Sequence, residues 1–573
     1  MRYRQGHERA SSHRAFALLS AAIVATGIAL RARQYLGRSS LWTDEAALAN
    51  NIVTRSLSRL LFAPLDHNQA APAGFLLIEK LATSLFGANE LALRAFPFAC
   101  SVIALLVLWR IATRLLSDAG APLVLAPFAL APVLIFHAAE AKQYSSDIAI
   151  ALDLLLLALE LDSQPVTRRR VAAAAAAGMM AVWFSQPAVL VAAGIGAALI
   201  AWSMMSRERG SLAPVAIVVS AWAVSAAAAV AVSVDHLAPA SHRYMSTFWG
   251  DGFWPMTLDR AEILTWPVLR IASTLGNQLS LPRGAALGCT ALVIAGVWGL
   301  CRSDKRAAML LTAPLLVTLG ASAARLYPFS ERLVLFLIPS LLLLLAAGIS
   351  TIADVLAPKR LALAAVTAAM LVLTALDARA LRDAPPVYRR EEIAPAVAYL
   401  RTNTQPGDLT YVYYGGVPAF EFYARERLDS ASYVIGRCHR GDPRQYLLEL
   451  DVLRGRPRAW LLFAHELPRL RERALLLRYL DAIAGVRDSV IVRGRDLDGQ
   501  PTSVSLYLYD LSDSVRLASA SARSFPIDAQ PAIDERLRCQ QESSGTSKAM
   551  VTPMAIRPRG AGPRYKPVVS PRS

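Results

Sequence analysis

Apolar runs near 20 residues long recur from Ala15 to about Leu376, separated by short charged breaks. A run of that length crosses a hydrocarbon layer of roughly 30 Å as a helix. The runs are rich in Ala, Leu and Val and lack the sustained polar face of a soluble amphipathic helix. The pattern predicts eleven membrane-spanning helices at 15–32, 92–112, 121–137, 147–161, 171–184, 187–205, 211–234, 284–301, 307–324, 333–352 and 360–377, of which 147–161 and 171–184 are short. Two long loops, 33–91 and 235–283, interrupt them.

After residue 379 the pattern changes. Strands are expected at 409–416, 432–436, 458–465, 489–493 and 504–510, with helices at 394–402, 418–427 and 466–484. Alternation of this kind predicts a small α/β layer domain over 380–520. Residues 521–573 are rich in Ser, Pro and Arg, with few large apolar residues, and are expected to form a disordered tail. The chain therefore reads as a polytopic α-helical membrane protein, with a membrane domain over 1–379 and a C-terminal exterior α/β domain.

Composition agrees: 55% of the 573 residues are hydrophobic and 18% charged, with a mean hydropathy of +0.38. Charge adds the orientation. Arg2, Arg4, Arg9 and Arg14 precede the first span, and Arg110, Arg114, Arg168, Arg169, Arg170, Arg207, Arg209, Arg302, Lys305, Arg306, Lys359 and Arg360 fall in breaks on that same side. The opposite side's short connections carry Lys142, Arg325 and Arg332. Positive charge marks the cytoplasmic side, so the N-terminus is expected inside the cell membrane and the 380–520 domain outside. The first span is long, lacks a small-residue cleavage site and reads as an anchor.

The net charge of +17 follows from topogenic arginines and an Arg-rich exterior domain; no basic stripe interleaved with aromatics suggests nucleic acid. Of five cysteines, Cys100, Cys289 and Cys301 sit in or beside apolar spans, and Cys438 and Cys539 fall outside them, where an oxidising compartment would let them pair. No zinc-type spacing is present.

Three polar clusters on the exterior side carry candidate chemistry. The first loop gives Trp42-Thr43-Asp44-Glu45, two adjacent carboxylates, followed by the polar knot Asp66–Gly74 with His67 and the amphipathic stretch Phe75–Leu85, which fits a helix lying along the membrane surface. An acidic first helical turn with Thr43 as N-cap is the plain alternative. The second cluster places Glu140, Tyr144 and Asp147 at i, i+4 and i+7 beside Lys142. Ionisable groups at the margin of a span mark functional candidates, although an interfacial cap and aromatic belt would use the same residues. The third, Arg325-Leu326-Tyr327-Pro328-Phe329-Ser330-Glu331-Arg332, suits an anionic head group or membrane anchoring. The loop aromatics Trp249, Phe253 and Trp254 fit a sugar platform or an interfacial belt.

In order, these motifs resemble the GT-C superfamily of membrane glycosyltransferases, in the bacterial branch of protein O-mannosyltransferases, aminoarabinose transferases and Rgt-type lipopolysaccharide sugar transferases. The resemblance runs from Leu41 to about Ile349. It rests on Trp42-Thr43-Asp44-Glu45-Ala46, on His67…Pro72…Leu85-Phe86-Gly87…Glu90…Leu93-Arg94…Pro97, on Glu140…Lys142-Gln143-Tyr144…Asp147, and on Tyr327-Pro328-Phe329…Arg332…Pro339. It implies transfer of a sugar from a polyprenyl-phosphate donor to an exterior glycan, lipid or protein acceptor. Asp44 would be the general base and Glu45 its support. His67, Lys142, Tyr144, Arg325, Tyr327 and Arg332 would bind donor phosphate or substrate, because a departing phosphate needs positive charge or a metal to offset its own. Glu140 and Asp147 are candidate oxygen ligands for a divalent metal (Mg, Mn or Zn). Further motifs of the aminoarabinose and mannosyl enzymes are missing, so neither donor carries over. A lipid-linked saccharide flippase or transporter, or a non-catalytic envelope scaffold, are the rival classes. Few mid-span charges, Asp153 the clearest, argue against transport.

Overall fold

The computed structural model describes residues 2–162, 167–206, 212–235, 246–255, 260–355, 385–425, 433–440, 442–497 and 500–527, with isolated positions between 368 and 382. Among them, seven helices are long and apolar enough to cross a membrane: Arg14–Leu36, Glu90–Leu115, Ala188–Met205, Leu212–Val232, Arg283–Ser303, Lys305–Ala323 and Glu331–Val355. The chain is a multi-pass helical membrane protein carrying a C-terminal sheet.

The other four expected spans differ for identifiable reasons. Residues 121–137 form two helices, α6 (Gly120–Leu130) and α7 (Pro132–His137). Pro132 has no N–H to give the Phe128 carbonyl, and the fully buried Arg31 fills the gap, donating to the carbonyls of Phe128 and Ala129 at 2.8 Å each. The 147–161 run lies within α8 (Tyr144–Asp162), which carries four acids, Asp147, Asp153, Glu160 and Asp162. The 171–184 run lies in α9 (Arg168–Phe184), only 17 residues long. The 360–377 run lies outside the described residues apart from isolated positions, and of the expected 521–573 tail only 521–527 is described.

Close packing in the bundle depends on small residues, as membrane helices require. A Cβ on Gly296 would overlap the Leu344 carbonyl, and one on Gly348 the Leu292 carbonyl, so helices Arg283–Ser303 and Ile338–Val355 meet backbone to backbone. The two ends of the bundle differ in chemistry. Around the C-terminal end of α8, Arg110 pairs with Glu160, while Arg114 and Arg306 donate to the carbonyls of Leu159 and Ala158. The N-terminal end of α8, roughly 28 Å away at 1.5 Å per residue, holds Tyr144 and Asp147 and faces the first loop.

That loop folds into α2 (Thr43–Thr54), α3 (Leu57–Phe62) and α4 (Ala73–Phe86). On α4, Phe75, Leu76 and Glu79 are buried while Leu77, Leu81, Leu85 and Phe86 are exposed, an apolar outer face of the kind expected for 75–85. The second long loop contains a helix at Arg260–Gln278 that hydropathy did not announce.

Residues 389–519 form the α/β part, which begins where the Arg389 carbonyl accepts from the Arg495 N–H at 2.9 Å. Its five-stranded sheet has the order β2-β1-β3-β5-β4, built from β1 (Leu409–Val412), β2 (Tyr433–Ile435), β3 (Ala459–Phe463), β4 (Gly485–Arg495) and β5 (Pro501–Asp510). β2, β1 and β3 are parallel, whereas β5 is antiparallel to both β3 and β4. All five strands fall where alternation placed them. The helix Pro443–Leu450 was not anticipated, and the 466–484 helix is shortened to Glu472–Ile483. Cys438 is disulfide-bonded; Cys539 lies outside the described residues, and Cys100, Cys289 and Cys301 are free.

Candidate functional site

The two adjacent acids of the first loop point into different surroundings. Glu45 is the third residue of α2, and its carboxylate reaches back to the Trp42 N–H at 3.3 Å, half of a capping box. Trp42, not Thr43, occupies the N-cap position. Glu45 also accepts from Arg94 Nε (2.9 Å), Arg94 Nη2 (2.6 Å) and the Ala141 N–H (2.7 Å). Four donors fill its two oxygens, with the side chain 2% exposed, so Glu45 sits in a saturated ion pair, although burial, only partly offset by Arg94, raises its carboxyl above the ordinary value. Arg94 spends its remaining N–H groups on the Ser39 carbonyl and hydroxyl and the Ser40 carbonyl.

Asp44 faces the other way, and its side chain is 21% exposed. Oδ1 accepts from Lys142 Nζ at 3.1 Å and from Gln69 Nε2 at 3.2 Å. Oδ2 lies 3.2 Å from Arg332 Nη2. Burial alone would raise this carboxyl, but the Lys142 ammonium and the Arg332 guanidinium outweigh it and hold Asp44 below the usual carboxylate range. Four segments thus meet at one carboxylate: α2, the α3–α4 connection with Gln69, the α7–α8 connection with Lys142, and the 3-10 turn Glu331–Leu337 that opens the last long helix.

Arg332 is ringed by aromatics. Its guanidinium carbon lies 5.7 Å from the Trp42 and Tyr144 ring centroids and 5.6 Å from that of Trp249, cation–π distances in each case. Its Nε is buried without a hydrogen-bond partner. Trp249 reaches the site because its loop docks on the last connection, where the Gly252 carbonyl accepts from the Phe329 N–H at 2.7 Å and the Ser322 hydroxyl at 2.9 Å. Trp42 Nε1 donates to Glu140 Oε1 at 3.2 Å, and Glu140 Oε2 pairs with His137 Nδ1 at 2.6 Å. The Tyr144 ring meets His137 edge to face at 5.3 Å.

The remaining candidates stand farther out. His67 does not touch Asp44; its carbonyl positions Gln69 (3.2 Å), and its ring lies 3.9 Å from Glu421 of the α/β part. Burial lowers the His67 ring and raises Glu421 to about 7, so the contact joins two groups that burial pushes toward neutrality. His67 and Asn68 both have positive φ, 60° and 53°, and Asn51 fixes the turn by pairing with both backbone groups of Asp66. Arg325 is exposed, with its guanidinium carbon 5.5 Å from the Phe253 ring. Tyr327 donates to the Leu333 carbonyl at 2.7 Å, supporting the turn that carries Arg332.

Glu140 and Asp147, the candidate metal ligands, sit in different surroundings. Both Glu140 oxygens are engaged by Trp42 and His137. Asp147 is buried, with one oxygen lacking a hydrogen-bond partner. Among the described residues no three His, Cys, Asp or Glu side chains are grouped as ligands.

Sequence reasoning passed over Gln69 and His137 and gave no role to Arg94. A lone arginine four residues inside a span already implies a buried acid, since an unpaired charge there is expensive. Gln69 carries no comparable signal.

No family model and no curated protein matches the chain. Solved structures do. The crystal structure of ArnT from Cupriavidus metallidurans bound to undecaprenyl phosphate is similar at 13% identity, over 85% of this chain and 97% of that one, with a TM-score of 0.49. The same ArnT in the apo state gives 12% identity, 86% and 97% coverage and a TM-score of 0.48. An Archaeoglobus fulgidus oligosaccharyltransferase in complex with Zn and sulfate gives 13%, 85%, 72% and 0.49. Likeness at this level argues nothing further about this chain, so its chemistry is read from its own residues.

Proposed function

We propose that the chain is an inverting membrane glycosyltransferase, moving a sugar from a polyprenyl-phosphate carrier to an acceptor on the exterior side of the cell membrane. One observation carries the reading: Asp44, partly open to solvent, is shared by Lys142 and Arg332 at 3.1 and 3.2 Å where α8 and the last long helix begin. A carboxylate beside two cations is what a displacement at an anomeric carbon needs. The acceptor oxygen attacks that carbon and gives its proton to Asp44, while the carbon–oxygen bond to phosphate breaks and the phosphate leaves with the electron pair. Lys142 and Arg332 then offset the charge on the leaving phosphate, with Arg suited to its oxygens.

The same cations lower Asp44 in the unliganded site and weaken it as a base. A donor phosphate competing for Lys142 and Arg332 would free the carboxylate as the substrate arrives. Glu45 supports Asp44 by fixing the start of α2 through Arg94. Arg325 stands at the rim, where it would meet a phosphate first. The resemblance of the ordered motifs to GT-C enzymes supports the same class, as does the cationic far end of the bundle, which fits a cytoplasmic face.

The experiment is transfer of labelled sugar from envelope lipid-linked donors by purified wild type and Asp44→Asn, with and without a chelator. Transfer by wild type alone is the expected result, and its sensitivity to chelation decides whether a metal takes part. Full transfer by Asp44→Asn would remove Asp44 from the role of base.

A further inference from the structure

Residues 40–43 lead from α1 (Arg2–Leu36) into the helix that carries Asp44, and each of them is held by the α/β part. Glu392 takes Ser40 with both oxygens, accepting from its N–H at 3.1 Å and its hydroxyl at 3.3 Å. The Tyr423 hydroxyl accepts from the Leu41 N–H at 2.8 Å. The Arg390 guanidinium carbon lies 4.0 Å from the Trp42 ring centroid. Thr43 has one hydroxyl proton, which goes to the Gly415 carbonyl at 2.8 Å, and its N–H faces Glu391 at 3.5 Å. The other Glu391 oxygen pairs with His465 Nδ1 at 2.7 Å.

Glu391 and Glu392 are 7% and 5% exposed. Burying two consecutive carboxylates is costly unless donors meet them, and the donors here include the backbone of the Asp44 loop itself. A domain that only docked an acceptor would have no need to sink two charges against this loop. We infer that Glu391, Glu392, Tyr423, Arg390 and His465 are positioning residues through which the α/β part fixes residues 40–43, and with them the approach of Asp44 to Lys142 and Arg332. Small misplacement of a base is expensive in rate, which gives such a clamp its purpose. The inference deepens the proposed transfer reaction and rests on that reading only for its activity arm.

The test uses the full chain in lipid nanodiscs: wild type, Glu391→Ala, Glu392→Ala and the conservative Glu391→Gln. Amide hydrogen exchange over 39–45, thermal midpoint, binding of undecaprenyl phosphate and sugar transfer are read on each. Both alanine variants should exchange about five- to tenfold faster over 39–45, with the exchange of α5 (Glu90–Leu115) unchanged. Turnover should fall about tenfold or more while undecaprenyl phosphate affinity holds, and Glu391→Gln should recover most of the protection. Unchanged exchange over 39–45 in both alanine variants overturns the clamp, as does loosening spread evenly through the bundle. If wild type transfers no sugar, the transfer reading fails and the exchange measurement still decides the clamp.

Discussion

The surroundings of Glu45 and of Asp44 begin one residue apart and are built in opposite ways. Glu45 is sealed: four N–H groups fill its lone pairs, and Arg94 pairs with it as a two-pronged fork. Asp44 is open, and the two cations it shares also meet neutral groups, the Gln69 amide oxygen on Lys142 and the Trp42, Tyr144 and Trp249 rings around Arg332. The first arrangement stores stability, because removing either partner strands a buried charge. On the proposed transfer reaction the second serves reactivity, because an incoming phosphate would take the cations. A doublet of like residues would then be divided between architecture and chemistry by the direction each side chain takes from the first turn of one helix.

The sharpest way to break the comparison is Asp44→Asn, which should cut sugar transfer about 100- to 10,000-fold while the thermal midpoint stays with wild type. The mirror variant, Arg94→Ala, should destabilise the protein by about 3–5 kcal/mol, seen as a fall in thermal midpoint and in folded yield. If Arg94→Ala were silent, Glu45 would not be the structural member of the pair. Lys142→Ala should weaken undecaprenyl phosphate binding about tenfold, the scale of one charge-assisted contact, measured by titration, and it should raise the Asp44 carboxyl toward its ordinary value.

Acidity offers a finer cut at the clamp. The Glu391 carboxyl is lowered, its burial outweighed by His465, and the His465 ring is raised, its burial outweighed by Glu391 despite Arg390 and Arg440 nearby. A lowered acid contributes stability above its unfolded value, near 4.5, and loses it as pH falls through the lower folded value. A raised histidine contributes fully below 6.5 and loses its share as pH rises through the higher folded value. Protection of residues 39–45 from exchange, corrected for intrinsic rate, should therefore be greatest between these limits and decline on the alkaline side; His465→Gln should flatten that decline. The smallest effect is reserved for Arg110→Ala. Its pair with Glu160 is 66% and 42% exposed, and removal should change the thermal midpoint by less than about 1 kcal/mol equivalent.

The sequence made some of this legible and hid the rest for physical reasons. Spans are local: twenty apolar residues are a span wherever they sit, and seven of them stand as read. Where a proline interrupted the run, as at Pro132, hydropathy averaged over the break and saw one helix instead of two. The strands were legible from short runs of β-branched, aromatic and aliphatic residues, which are also local. The partners of Asp44 were named among the candidates, since charge at a span margin stands out against its cost, but the same rule named Arg325, which stays exposed at the rim. Gln69, His137, Glu391 and His465 could not be found that way. Glu391 meets Thr43 across 348 positions, and no periodicity relates two residues so far apart.

That separation has a consequence for how the protein is made. The segment 40–43 enters or crosses the membrane early in synthesis, and Glu391 follows only after another 348 residues. At roughly 5–20 residues per second, the loop waits on the order of tens of seconds for the groups that steady it. A chain cut short just before residue 390 would hold the seven long apolar helices and still lack the groups that hold the Asp44 loop. A segment made late thus holds a loop made early.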